Sequence, residues 1–201
     1  MHTKVLHPTK IPIMMRILLT ASFLILGSCL ALAQKYGPPP ADLTHFPAQW
    51  EGRWEGTLRI VFPAVQPREV PMALEILPID STHWHWRLIY NVRGEEDLRD
   101  YVLQPVKIKQ GRWQIDERNG IVLGARLIDK SLFSLFEVDN QMLMARYSLE
   151  GDQIRFEITG SSLEPNLTGP PLPETPQIEN IPQVNWFEVG VFQQALLRKK
   201  E

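Results

Sequence analysis

The chain has 201 residues with 23 Asp and Glu against 21 Lys and Arg, a formal charge of −2, and a single cysteine. That length supports one domain with a real core, and the slightly acidic balance without a basic run argues against a nucleic-acid binder. The lone Cys29 excludes an intramolecular disulfide, and if the N-terminal segment is removed no thiolate chemistry remains.

The N-terminal segment has the pattern of an export signal. Arg16 precedes an uncharged apolar run from Ile17 to Ala33, which ends in the small-residue sequence Ala31-Leu32-Ala33. This is the charge, apolar core and cleavage-site order of a secretory signal peptide, so residues 1–33 read as removed. Two alternatives stay open. Leu26-Gly-Ser-Cys29 resembles a bacterial lipobox, which would acylate Cys29 and anchor the chain to a membrane, and the apolar run could also remain as an uncleaved anchor. Loss of Lys4, Lys10 and Arg16 takes three bases and no acids, leaving a more acidic mature chain. The implied location is the bacterial periplasm or outer membrane, or outside the cell.

Residues 34–50 form a Pro-rich linker, Gln34 to Ala41, and then a short helical turn capped by Asp42 and stopped near Pro47. From residue 51 on, no long stretch keeps a 3.6-residue period. Short segments alternate instead between apolar and polar residues: Gly52–Phe62, Glu69–Leu77, His83–Asn91, Asp97–Lys109, Arg112–Glu117, Ile121–Asp129, Leu132–Val138, Met142–Glu150 and Gln153–Thr159. Pro105 predicts a bulge or strand end, and Asn119-Gly120 a tight hairpin with positive φ at both residues. Residues 160–183 carry six prolines and read as a long loop, within which Asn166-Leu-Thr168 fits a glycosylation sequon. A tenth strand follows from Asn185 to Lys199. Ten strands with hairpin joints predict an all-β, antiparallel up-and-down sheet over 51–201, closed into a barrel to remove its edges, with a β-sandwich as the alternative.

Successive strand residues face opposite sides, so His83 and His85 share one face of the third strand and Trp84, Trp86, Leu88 and Tyr90 the other. Two imidazoles at this spacing are weak candidates for a metal site, because a third ligand is not marked by any spacing. Burying two indoles is worth about 2–3 kcal/mol each, which places the aromatic stripe inward and the histidines toward water. The inward stripe is either packed core or the wall of a ligand cavity. With Trp113 on the fifth strand and Phe192 on the tenth, Trp84, Trp86, Leu88 and Tyr90 are the candidate ligand-binding residues. On the tenth strand the inferred inward set includes Glu188, Phe192, Gln194 and Arg198. Asp116 and Glu117 are adjacent in a strand and point apart, so they read as a solvated hairpin end. Met142 and Met144 read as core or cavity wall. No catalytic residue is assigned.

Gly52-x-Trp54 at the start of the first strand resembles the signature of the calycin superfamily, which includes lipocalins, fatty-acid-binding proteins and nitrobindin-like barrels. The resemblance implies that a cation from the last strand covers this tryptophan at the barrel base, and Arg198 stands in that place. It also implies a carrier of a small apolar or amphipathic molecule. No histidine follows His85, which departs from a His-ligated haem site, so no cofactor is assigned and haem has no residue-level support. An enzyme on the same barrel, and an envelope structural or interaction module without a small ligand, are the other two classes.

Overall fold

The computed structural model describes residues 45–165 and 184–201. The expected signal segment, Cys29, the Asp42 cap, the sequon and most of the Pro-rich stretch lie outside those residues. Ten strands form the body: β1 Gly52–Val61, β2 Arg68–Pro78, β3 Trp84–Val92, β4 Glu95–Lys107, β5 Arg112–Asp116, β6 Val122–Ile128, β7 Ser131–Val138, β8 Gln141–Glu150, β9 Gln153–Ser162 and β10 Val189–Lys199. Each strand pairs antiparallel with the next, and β10 pairs with β1, so the sheet closes into a barrel. The expected architecture is therefore the observed one, and the sandwich alternative is set aside.

Local sequence explains most joints. Arg93-Gly94 and Asp139-Asn140 both take positive φ and make two-residue hairpins, conformations that Gly, Asn and Asp adopt at least cost. Register shifts between Pro105 and Lys107, where proline withholds its ladder hydrogen bond. The Asn119-Gly120 turn differs from expectation: positive φ falls on Arg118 and Gly120, and Asn119 instead accepts a hydrogen bond from the Ile121 N–H at 3.0 Å. Gly160 also belongs to β9, not to a loop; its missing Cβ would lie 2.6 Å from Val191 and 2.8 Å from Leu143.

The tenth strand begins at Val189, later than expected, and its pairing with β9 shifts between Val189 and Val191. Its inner face carries Gln193, Ala195, Leu197 and Lys199. Ala195 sits opposite the wholly buried Phe156, so the small residue is inside because its neighbour already fills the space. Phe192, Gln194, Leu196 and Arg198 consequently face outward, which corrects the inward set inferred for this strand, and Glu188 precedes it.

At one end the barrel is plugged. A 3-10 turn, Ala48–Trp50, follows the cis Phe46–Pro47 bond and carries Phe46, Pro47 and Trp50 into the base. The Trp54 indole N–H donates to the Trp50 carbonyl at 2.8 Å, which ties the plug to β1. Trp84 N–H donates to the Glu51 carboxylate at 3.0 Å beside it.

Candidate functional site: the open mouth of the barrel

The interior divides into two halves. In the basal half, Phe46 stacks edge-on to Trp50 and Trp113 at 5.0 and 4.8 Å between ring centroids, and Trp84 meets Trp113 at 6.1 Å. Trp86 stands edge-on to Tyr147 at 5.0 Å, and Tyr147 lies 5.0 Å from Phe156. Trp86 and Phe156 have no exposed surface. Between the two readings of the inward stripe, the lower part is packed core: Trp84 and Trp113 meet each other, and Trp86 packs on Trp50 and Tyr147.

The base closure uses a different cation from the one expected. In the β1–β10 register Trp54 faces Lys199, while Arg198 faces Glu55 on the outer side. The Lys199 ammonium lies 5.4 Å from the Trp54 ring centroid, a contact worth about 0.5–1 kcal/mol at an exposed site. Gly52, at φ +128°, leaves room for that chain, since a Cβ there would lie 2.7 Å from Lys199 Cε. The Gly-x-Trp spacing thus has a local mechanism: the glycine passes the lysine and the tryptophan receives it. Two adjacent cations offered themselves, and alternation selects the second.

Among the described residues nothing closes the other end of the barrel. Leu58, Ile60, Val70, Tyr90, Val92 and Gln193 line an apolar hollow of about 200 Å³ with Asp97 at its edge. It shares Ile60, Val70, Val92 and Asp97 with a wider concavity of about 1050 Å³ between the tips of β2, β3 and β4. Tyr90 and Leu88 approach this half, with Leu88 buried below Tyr90. The β3–β4 register puts Tyr90 opposite Asp97 and Trp86 opposite Tyr101, so Asp97, Arg99 and Tyr101 share the inner face. Arg99 donates to Asp97 at 2.9 Å, and that bond holds the guanidinium firmly protonated. Burial pushes the Tyr90 and Tyr101 phenols up from their ordinary range, with a smaller contribution at Tyr90 from Tyr101 and at Tyr101 from Glu117. At neutral pH both hydroxyls are un-ionised and can donate or accept. Asp97, Arg99, Tyr101 and Gln193 were not singled out from sequence. The odd-numbered alternation Asp97, Arg99, Tyr101, Leu103 carries that face in the sequence, but its two charges deny it an apolar pattern.

His83 and His85 lie on the outer wall. The His83 ring shares its Nδ1 with the Asp80 carboxylate at 3.0 Å and its Nε2 with Gln104 at 3.1 Å. His85 Nδ1 is 3.6 Å from Asp100. No group of three or more His, Cys, Asp or Glu side chains among the described residues is placed to hold a metal ion. Asp116 serves the hairpin, accepting the Arg118 backbone N–H at 2.7 Å. Phe192 is on the outer face and does not join the site. Met142 and Met144 also face outward.

A closed ten-stranded antiparallel barrel with a plugged base fits a calycin-like barrel fold. Among solved structures, the S-type phycobiliprotein lyase CPES from Guillardia theta has the same fold: the match has a TM-score of 0.52 at 11% identity and covers 79% of this chain and 93% of that one. No family model matches the sequence, and no curated protein matches it.

Proposed function

We propose that this chain is an exported barrel that binds or carries a small apolar or amphipathic molecule in the cell envelope, taken up through the open mouth without a catalytic step. The observation that carries the reading is the division of the interior. The base is closed by packed rings, while the mouth presents aliphatic walls with un-ionised tyrosines and an Arg99–Asp97 pair above them. Ligand sites in barrels combine this kind of apolar lining with a few fixed polar groups. Leu58, Ile60, Val70, Leu88 and Val92 would meet the apolar body. Tyr90, Tyr101 and Arg99 would orient the polar end. The 200 Å³ hollow admits only the leading part of such a molecule, so its remainder would lie in the wider concavity. The structural neighbour, a phycobiliprotein lyase, supports a barrel that works with a small molecule, and the apolar N-terminal stretch supports export.

Titration with fatty acids, haem and hydrophobic dyes, followed by dye emission and tyrosine and tryptophan fluorescence, tests the reading. Saturable binding to one of these classes is expected, and it should be lost in I60R, which fills the mouth with a charged chain. No saturable signal from any class, or equal binding by I60R, would defeat it.

A further inference from the structure

The outer wall carries two opposite charge arrangements. Over β1 to β5 the charges alternate and pair: Lys200 with Glu55, Glu55 with Arg53, Arg53 with Glu75, Arg87 with Glu75 and Asp100, and Arg118 with Asp100. Along one row across β4 to β8 they do not. Lys107 lies directly opposite Arg112, Arg112 opposite Arg126, Arg126 opposite Phe133, and Phe133 opposite Arg146. All of these point outward, so four cations and one ring form a single row across five strands. Like charges facing each other across a ladder destabilise a sheet. Lys107, Arg112 and Arg126 form no ion pair among the described residues that would offset the repulsion. Arg146 sits over the Phe133 ring at 5.6 Å, meets Glu157 only at 3.4 Å, and its buried Nε has no partner.

The same wall is apolar between the cations. Gly124 has nothing within 4 Å of where its Cβ would be, leaving a hollow of about 380 Å³ bordered by Val106, Phe133 and Leu135 and flanked by Arg112 and Arg126. Leu135 is 64% exposed, Ile128 57% and Val106 46%. We propose that this wall, β4 to β8, is a docking surface for an anionic lipid bilayer, with the row of cations at the headgroups and Val106, Ile128, Phe133 and Leu135 entering the interface. Charge complementarity selects the occupant. A linear row of cations, three of them without an ion pair among the described residues, fits a continuous sheet of negative headgroups, and aliphatic chains between long basic ones are the composition of interfacial membrane surfaces. The repulsion tolerated in the free protein is relieved on the bilayer.

The test is flotation of the full chain with vesicles of phosphatidylcholine alone or with about one third phosphatidylglycerol, which gives the negative surface the cations require. The N-terminal apolar stretch is common to all variants, so only differences between them count. Binding is expected to rise with the anionic fraction and to fall with added salt. The triple variant K107Q/R112Q/R126Q should lose about fivefold per cation, roughly a hundredfold in all. L135S should weaken binding, whereas R59Q/R198Q/K200Q, with the same loss of charge on the other wall, should keep it. The thermal midpoint of K107Q/R112Q/R126Q should not fall below that of the parent, which separates lost docking from lost folding. The proposal is overturned if that variant floats as the parent does, if the control triple loses as much, or if the parent binds polyglutamate but not the anionic vesicles.

Discussion

Replacing Trp86 tests whether the basal half is core or ligand wall. Trp86 is wholly buried, lies edge-on to Tyr147 at 5.0 Å and 6.4 Å from Trp50, and faces Ile76 and Tyr101 on the flanking strands. Truncation to alanine removes the ring's transfer energy and leaves a cavity that rigid strands cannot close, a loss of about 3–5 kcal/mol. The edge-on contact with Tyr147 accounts for roughly 0.5–1.5 kcal/mol of this. The indole N–H adds an opposite effect. It is buried and makes no well-formed hydrogen bond, only a weak approach to the Tyr147 hydroxyl, and a donor so placed costs up to about 1–3 kcal/mol. W86F keeps most of the ring and removes that donor, so its net cost should stay below about 1.5 kcal/mol, the range of conservative core exchanges. Urea unfolding followed by circular dichroism measures both, with an unchanged m-value showing that only stability moved. The reasoning fails if W86A costs less than about 1 kcal/mol, or if it abolishes small-molecule binding at unchanged stability, because either result would mean that Trp86 borders open space. A W86F cost well above 2 kcal/mol would show that the N–H has a full partner, the Tyr147 hydroxyl or a buried water.

The remaining predictions concern the base closure and two sets of titrating groups. G52A should destabilise by about 1–3 kcal/mol, since φ +128° strains any residue with a Cβ; the Lys199 chain can swing aside, so K199A should not rescue it in a double-mutant cycle read by thermal unfolding. The Asp80 carboxyl should titrate at about 2 in a carboxyl NMR experiment, held down first by the Thr82 backbone N–H and then by His83. A lowered acid means that its contribution to the β2–β3 turn is present above pH 3.8 and lost as pH falls toward 2, and D80N should remove that dependence. Tyr90 and Tyr147 should keep their phenolic protons well past pH 10 in a spectrophotometric titration, because burial raises both. Raised acids favour the folded state below pH 10, and their stabilisation is lost as pH rises from there, so alkaline unfolding should expose both phenols together and Y90F should shift it to higher pH. A Tyr90 that ionises in the native protein near pH 10 would contradict a buried mouth wall.

The sequence by itself determined the elements and most of their faces. Apolar alternation marked ten strands, Pro105 marked a bulge, and the bulk of Trp84, Trp86, Leu88 and Tyr90 turned β3 so that His83 and His85 look outward. Each of these depends on one strand and its hydration, which a local pattern carries. What the residues do once inside was decided by the tertiary structure. Phe46 and Trp50 read as a short helical turn and its end, ahead of the barrel, yet fill the base, because the plug finds its partners on β3 and β5. Trp113 belongs to the same plug contact and not to the mouth. On β10 the large Phe192 is outside and the small Ala195 inside, since Phe156 from β9 already occupies that space. That register also gives the closure to Lys199 and takes it from Arg198. A strand's period is two, so a shift of one residue exchanges its faces, and only the neighbours with which it shares the interior fix which face is in.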